Sequence, residues 1–238
     1  AELPIGKEVN FDEEIMPFIT SANVACGFHS GNPIIIEKTI RSAIKYGVKI
    51  GAHPSYNDRL NFGRQSMNPP LKQLIPEIRY QIGAIKCMTE SLGGQLNHVK
   101  PHGALYNDMV KDIELAKAFV NLIATIDDSL QVYGLAGSHM NKICQEEGII
   151  FVSEGFADRS YEYQSQLRSR EKVGAVLNKE EQVLEQVDHL LNDKIRLYSG
   201  EWVDINVDTI CLHSDTPGAV NLSEKIYNYI VSNEIEIR

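Results

Sequence analysis

The sequence predicts an α/β fold built on a parallel sheet with crossover helices. Three observations carry this expectation. Short apolar runs alternate with helical patterns from end to end, the rhythm of strand, crossover and parallel strand. Four of the 7 histidines sit within a residue or two of the C-terminal end of such a run. The 238 residues contain no Gly/Ser/Pro-rich linker, charge block or low-complexity tract. A single α/β barrel routinely occupies ~200–250 residues, so residues 1–238 are expected to form one domain.

Each element has its own signal. The apolar run Val24-Ala25-Cys26 precedes a helix opened by Asn32-Pro33, a capping residue followed by proline at the first helical position. Ile36, Thr39, Ile40, Ala43 and Ile44 form its apolar stripe, and Gly47 stands where the chain must turn left-handed to leave it. Residues 48–52 read as a strand. A second helix spans 71–92, with Leu71, Leu74, Ile75, Ile78, Ile82 and Ile85 on one face and Gly93-Gly94 as its stop. Strand 96–100, helix 112–126, strand 131–135, helix 138–147 and strand 149–152 follow. Ser138 reads as the cap of the helix it opens. After a polar stretch at 158–175 come helix 179–192, strand 207–212 and helix 217–232. Long loops remain at 53–70, 101–111 and 154–178, and such loops in a compact domain are more often functional than idle.

Composition narrows the functional classes. Hydrophobic residues make up 43% and charged residues 23%, which excludes disorder. The net charge of −9 leaves no basic footprint for a phosphate backbone, so no nucleic-acid partner is expected. No apolar run approaches the ~18 residues of a membrane span. The opening residues carry no basic segment followed by an apolar one, so no signal peptide is read there. Cys26, Cys87, Cys144 and Cys211 lack the CxxC spacing of zinc or thioredoxin sites, and three lie in apolar runs. Buried reduced thiols, and hence a cytoplasmic protein, are expected.

The chemistry is concentrated at the strand ends. His29, His53, His102 and His213 are each bracketed by small or turn residues, and in a parallel barrel the C-terminal strand ends share one rim. Glu154, Asp158, Arg159 and Asp215 fall at equivalent places. His98 lies within a strand, His139 starts a helix and His189 lies on one, all ordinary positions. Imidazoles on a rim can transfer protons, hold a divalent metal with a carboxylate, or join Lys100 and Arg159 in binding anions. Spacing does not choose among these, since HExxH, GxxxxGK[ST], GxGxxG and GxSxG are all absent.

Several segments are similar to one family. They are Thr20-Ser21-Ala22-Asn23-Val24-Ala25-Cys26-Gly27-Phe28-His29, Gly51-Ala52-His53-Pro54 and Val99-Lys100-Pro101-His102-Gly103-Ala104-Leu105-Tyr106-Asn107. Gly134-Leu135-Ala136-Gly137-Ser138, Glu154-Gly155-Phe156-Ala157-Asp158-Arg159 and His213-Ser214-Asp215-Thr216-Pro217-Gly218-Ala219 continue the pattern. The chain resembles the LamB/YcsF family, described as the A component of the prokaryotic 5-oxoprolinase complex, from about residue 12 to residue 231. The resemblance implies a distorted TIM-like (β/α) barrel of the glycoside hydrolase and deacetylase type. The family's usual opening strand, Asp-Leu-Asn-x-Asp-x-Gly-Glu, has no counterpart before Phe11, so a barrel lacking its first strand is expected. Ser214 also stands where the family usually has Gly.

The resemblance further implies ATP-dependent opening of 5-oxo-L-proline to L-glutamate, with ATP as co-substrate and subunits B and C as partners. On that reading His29, His53 and His102 transfer protons, with Asp158 or Asp215 orienting one of them. Lys100 and Arg159 bind anions, and Asn23, Asn107, Glu154 and His213 join Arg159 in holding the substrate. A metal-dependent deacetylase or hydrolase acting alone, and a non-catalytic subunit that binds a small acid, are the alternatives; a divalent metal and a homo-oligomer stay open. Geometrically, at least three of the four rim imidazoles should line one small pocket with Lys100 and Asp158 or Arg159. Lys49 and Gln131, at strand starts, should lie far from it.

Overall fold

A computed structural model describes residues 12–237. The expected alternation of strands and helices is present. Strands β1 (Ser21–Ala25), β2 (Lys49–His53), β3 (Leu96–Val99), β4 (Gln131–Leu135) and β5 (Phe151–Phe156) pair in chain order, and β10 (Thr209–Cys211) adds to β5. All five pairings are parallel. Two short antiparallel hairpins, β6 (Tyr161–Tyr163) with β7 (Gln166–Leu167) and β8 (Lys194–Arg196) with β9 (Trp202–Asp204), fill the connection from β5 to β10.

The helices are α1 (Asp12–Ile15), α2 (Pro33–Tyr46), α3 (Leu71–Ser91), α4 (Gly103–Met109), α5 (Ile113–Ile126), α6 (Met140–Glu146), α7 (Glu180–Leu191) and α8 (Ala219–Ser232). The cap signals of α2 hold in detail: Asn32 Oδ1 accepts from the Ile35 N–H at 3.0 Å, and Gly47 is left-handed with φ 69°. Apolar stripes on α2, α3 and α5, among them Ile40, Ile78, Ile82 and Phe119, bury against β1–β4 in one core. A smaller core of Val183, Val187, Leu222 and Ile226 joins α7 to α8.

The sheet curls into a half-barrel. Ser21, Ala22 and Asn23 of β1 and Thr209, Ile210 and Cys211 of β10, its two edges, line one cavity. The expected absence of a first strand concerns residues that lie outside those described.

Three local readings change. The loop expected at 101–111 contains α4, a seven-residue helix too short to show a periodic stripe, with Ala104, Leu105, Tyr106 and Met109 buried. Ser138 does not cap α6; His139 holds that position, and the Ser138 N–H closes a turn onto the Leu135 carbonyl at 3.1 Å. The strand expected at 149–152 runs over Phe151–Phe156, because pairing with β4 carries it on until Glu154 stands opposite Leu135. The hairpins escaped the pattern because runs of two or three residues have no readable period.

One close approach organises the interior. Asn23, Gly51 and His98 face one another across three neighbouring strands, with Gly51 in the middle. A β-carbon on Gly51 would lie 2.0 Å from His98 Nε2. Because Gly51 has none, the His98 ring passes over β2 and its Nε2 meets Asn23 Oδ1 at 3.0 Å. The ring also stacks on Tyr133 at 4.0 Å. Gly51→Ala is therefore expected to displace His98 and destabilise the protein by about 1–3 kcal/mol, the usual cost of overpacking. Urea denaturation of the two proteins measures it; an unchanged midpoint would show that the ring has somewhere else to go.

Candidate active site

Every second residue of the inner strands faces the barrel interior, and the polar groups converge there. His53 ends β2, His29 lies in the loop after β1, and His102 opens α4 after β3. The rings of His29 and His102 stack at 3.8 Å, and His53 packs edge-on against both, with centroids 5.7 and 4.9 Å away. Their nitrogens are engaged: His29 Nδ1 with Ser55 Oγ at 2.8 Å, His53 Nδ1 with the Lys100 carbonyl at 2.6 Å, and His102 Nε2 with the Phe62 carbonyl at 2.9 Å. His102 Nδ1 meets His53 Nε2 at 3.1 Å. Carbonyls only accept, so both outer nitrogens of the His53–His102 pair carry hydrogen, and the inner contact is a hydrogen bond only when a third hydrogen sits between them. The loop after β2 closes over these rings, with the Ala104 N–H donating to the Gly63 carbonyl at 2.9 Å.

A buried ion pair stands beside them. Lys100 Nζ lies 2.6 Å from Glu154 Oε1 and 3.1 Å from Cys211 Sγ, and the Tyr106 hydroxyl donates to Glu154 Oε2 at 3.0 Å. Lys100 is 4% exposed and Glu154 2%. Burial works against the charge on Lys100, but Cys211 and Glu154 outweigh it and hold its pKa above the ordinary lysine range. Burial pushes the Cys211 thiol up, although Lys100 pulls the other way.

The third cluster is Asp158 with His213. His213 Nδ1 donates to both carboxylate oxygens, at 2.9 and 3.0 Å, and Thr216 Oγ1 and the His213 N–H add two more hydrogen bonds. Burial disfavours the carboxylate, yet His213 and Thr216 bring its pKa down to about 2. Anchoring Nδ1 leaves Nε2 as the His213 nitrogen available for proton transfer.

A cavity of about 500 Å³ collects these groups. Asn23, His53, Lys100, Glu154, Cys211 and His213 line it. The expected arrangement is thus only partly realised. Three imidazoles do cluster, but His29 and His102 lie behind His53, so His53 and His213 are the two that reach the cavity. Asp158 orients His213, whereas Asp215 pairs with Arg64 instead of any histidine. Arg159 does not line the cavity. Its Nε and Nη2 donate to the Ala175 and Arg168 carbonyls, at 3.1 and 2.6 Å, so it ties down the loop after β5. Burial and Arg170 lower its pKa to about 10. Asn107 is likewise turned away, its Nδ2 donating to the Gly103 carbonyl within α4 at 3.0 Å. Lys49 and Gln131 lie off the cavity, as expected.

The cavity is larger than one cyclic amino acid requires, because among the described residues it continues between the sheet edges β1 and β10 to Tyr227 and Ile230 on α8. Two interior groups stand outside the candidate set: His98, which the sequence marks as an ordinary strand residue, and Cys211, which it marks as a buried thiol. Alternation could have found both, since His98 and Lys100, like Cys211 and His213, are two residues apart and share a face. Burial and the charge of Lys100 lower the His98 pKa to about 3, so this ring is a neutral structural partner of Asn23. His53 and His102 turn their outer nitrogens to carbonyls and their inner ones to each other, and among the described residues no three His, Cys, Asp or Glu side chains are arranged to hold an ion.

Comparison with known proteins places this geometry in a family. A profile of the LamB/YcsF family matches residues 4–238. The chain belongs to the LamB/YcsF family. It is 42% identical over 231 residues to the 5-oxoprolinase A component of Pyrococcus furiosus, covering 97% of this chain and 91% of that protein. It is 40% identical over 228 residues to the corresponding 5-oxoprolinase component of Bacillus cereus, covering 95% and 90%. The crystal structure of the lactam utilization protein from Thermus thermophilus superposes with a TM-score of 0.88 at 32% identity, over 97% of this chain and 92% of that one. The LamB/YcsF half-barrel is thus the fold of this chain.

The Asp158 pair also makes an acid-stability prediction. Its folded pKa of about 2 lies below the ordinary 3.8, so its contribution is present above pH 4 and lost as pH falls through 2. That contribution is on the order of 2 kcal/mol. In Asp158→Asn this part of the acid limb should vanish, which melting temperatures from pH 5 to 2 will show; an unaltered slope would mean that the pairing is not what depresses the carboxyl.

Proposed function

We propose that this chain is a catalytic subunit of an ATP-dependent 5-oxoprolinase, opening 5-oxo-L-proline to L-glutamate together with subunits B and C. The observation that carries the reading is the Asp158-held imidazole of His213 on the same cavity as the Lys100–Glu154 pair. The names of the relatives supply the lactam. A five-membered lactam is an unstrained amide that water attacks slowly, so phosphorylating its carbonyl oxygen with ATP provides a leaving group. His213 then takes a proton from water as the C–O bond forms, with Asp158 stabilising the resulting imidazolium. The Lys100 ammonium balances charge developing on the carbonyl or phosphoryl oxygens. His53, backed by His102, returns a proton to the ring nitrogen as the C–N bond breaks, which leaves an acyl phosphate that a second water cleaves to glutamate and inorganic phosphate.

The lack of any phosphate-loop motif supports a nucleotide site that lies partly on a partner. Reduced cysteines favour the cytoplasm. A purely binding subunit has no use for an aspartate-oriented imidazole.

The test is co-expression with the candidate partner subunits and an assay of 5-oxoproline-dependent ATP hydrolysis. The complex should turn over and this chain alone should not; robust turnover by the single chain would overturn the division of labour. His213→Gln should lower the complex's turnover by at least ~10²-fold, the usual loss for a proton-transfer group. Lys100→Ala is a poorer probe, since an unpaired Glu154 would cost about 3–5 kcal/mol of stability. Full activity in His213→Gln would remove His213 from the mechanism.

A further inference from the structure

Cys211 has no role in the proposed chemistry, yet its sulfur touches the amine of Lys100. We propose that these two side chains are a modification site, where oxidation joins Lys100 Nζ to Cys211 Sγ through one bridging oxygen. Nitrogen and sulfur stand 3.1 Å apart, a gap that one inserted oxygen spans with little movement. The residues are 111 positions apart, Lys100 just past the end of β3 and Cys211 on β10, so only the curl of the sheet makes them neighbours.

Three surroundings favour the bridge over the usual fates of a thiol. Among the described residues Cys211 forms no disulfide, and the group its sulfur touches is the Lys100 amine. Glu154 Oε1, 2.6 Å from Nζ, is placed to accept the proton whose departure frees the nitrogen lone pair. All three side chains line the cavity, which gives dioxygen and small thiols a route to them.

The reaction balances with dioxygen as oxidant. One N–H bond, the S–H bond and the O–O bond break, and an N–O and an O–S bond form. Nitrogen and sulfur each give up two electrons. Dioxygen takes all four, leaving one oxygen in the bridge and the other as water. The extra ammonium proton passes to Glu154. Two equivalents of a dithiol reverse the change, returning amine, thiol and water with two disulfides. The bridge removes the one cation of the ion pair from the cavity, and for a chain acting as proposed above it would switch off turnover.

The experiment uses the full chain, purified in air and under anaerobic conditions, with intact-mass and peptide analysis. Air exposure should add about 14 Da, one oxygen gained and two hydrogens lost, unlike the steps of about 16 Da for sulfenic and 32 Da for sulfinic acid. The peptides holding Lys100 and Cys211 should migrate as one species and separate after dithiothreitol. Cys211→Ser and Cys211→Ala should both abolish the shift, whereas Cys87→Ser, at an exposed thiol, should keep it. Oxygen added to Cys211 alone, no mass change after prolonged aeration, or a shift that persists in both Cys211 variants would each overturn the site. These readouts need no activity, so they stand apart from the proposed function. In the reconstituted complex, a crosslink that forms without loss of turnover would uphold the site and remove Lys100 from the mechanism.

Discussion

The rest of the interior is arranged around a charge pair that has been taken out of water. Lys100 and Glu154 are both nearly inaccessible, and burying two ions costs several kcal/mol each unless their remaining hydrogen-bonding capacity is met. Tyr106 meets it on the carboxylate side, Cys211 and the rings of Tyr106 and Phe156 on the ammonium side. The partners come from the end of β3 and from β5, β10 and α4, so one electrostatic requirement ties together four elements spread through the chain. A change at any of them disturbs the contacts that hold the pair.

Space is the second constraint, and glycine supplies it. Gly51 lets His98 cross β2 to reach Asn23, which links three strands on the inner face. Gly63 plays a related part in the covering loop: a β-carbon there would lie 2.9 Å from both His29 and His102. The stacked imidazoles are therefore packed from above by backbone. Two of the three are sealed from the cavity, and only His53 communicates between the cluster and the solvent-reachable space.

Much of the architecture was legible because it rests on repeated local signals. Asn32, Pro33 and Gly47 delimit α2, apolar stripes at three- and four-residue steps mark α2 and α3, and small residues bracket the strand-end histidines. Where the signal was short it failed, as at α4 and at the hairpins β6–β7 and β8–β9. Candidate site residues were legible as a set, since parallel strands bring their C-terminal ends to one rim. Their individual places were not. Arg159 and Asn107 carry the right chemistry in the right segments, but nearby carbonyls claim them.

The sequence by itself determined the parallel α/β class, the family and the pool of ionisable groups at the rim, because periodicity, capping and motifs are properties of neighbouring residues. Only the tertiary structure decided which of those groups meet. That Asp158 and not Asp215 holds His213, that His29 and His102 stand behind His53, and that Cys211 touches Lys100 all depend on sheet curl and strand register. These are distances between residues up to 111 positions apart, and no local pattern encodes them.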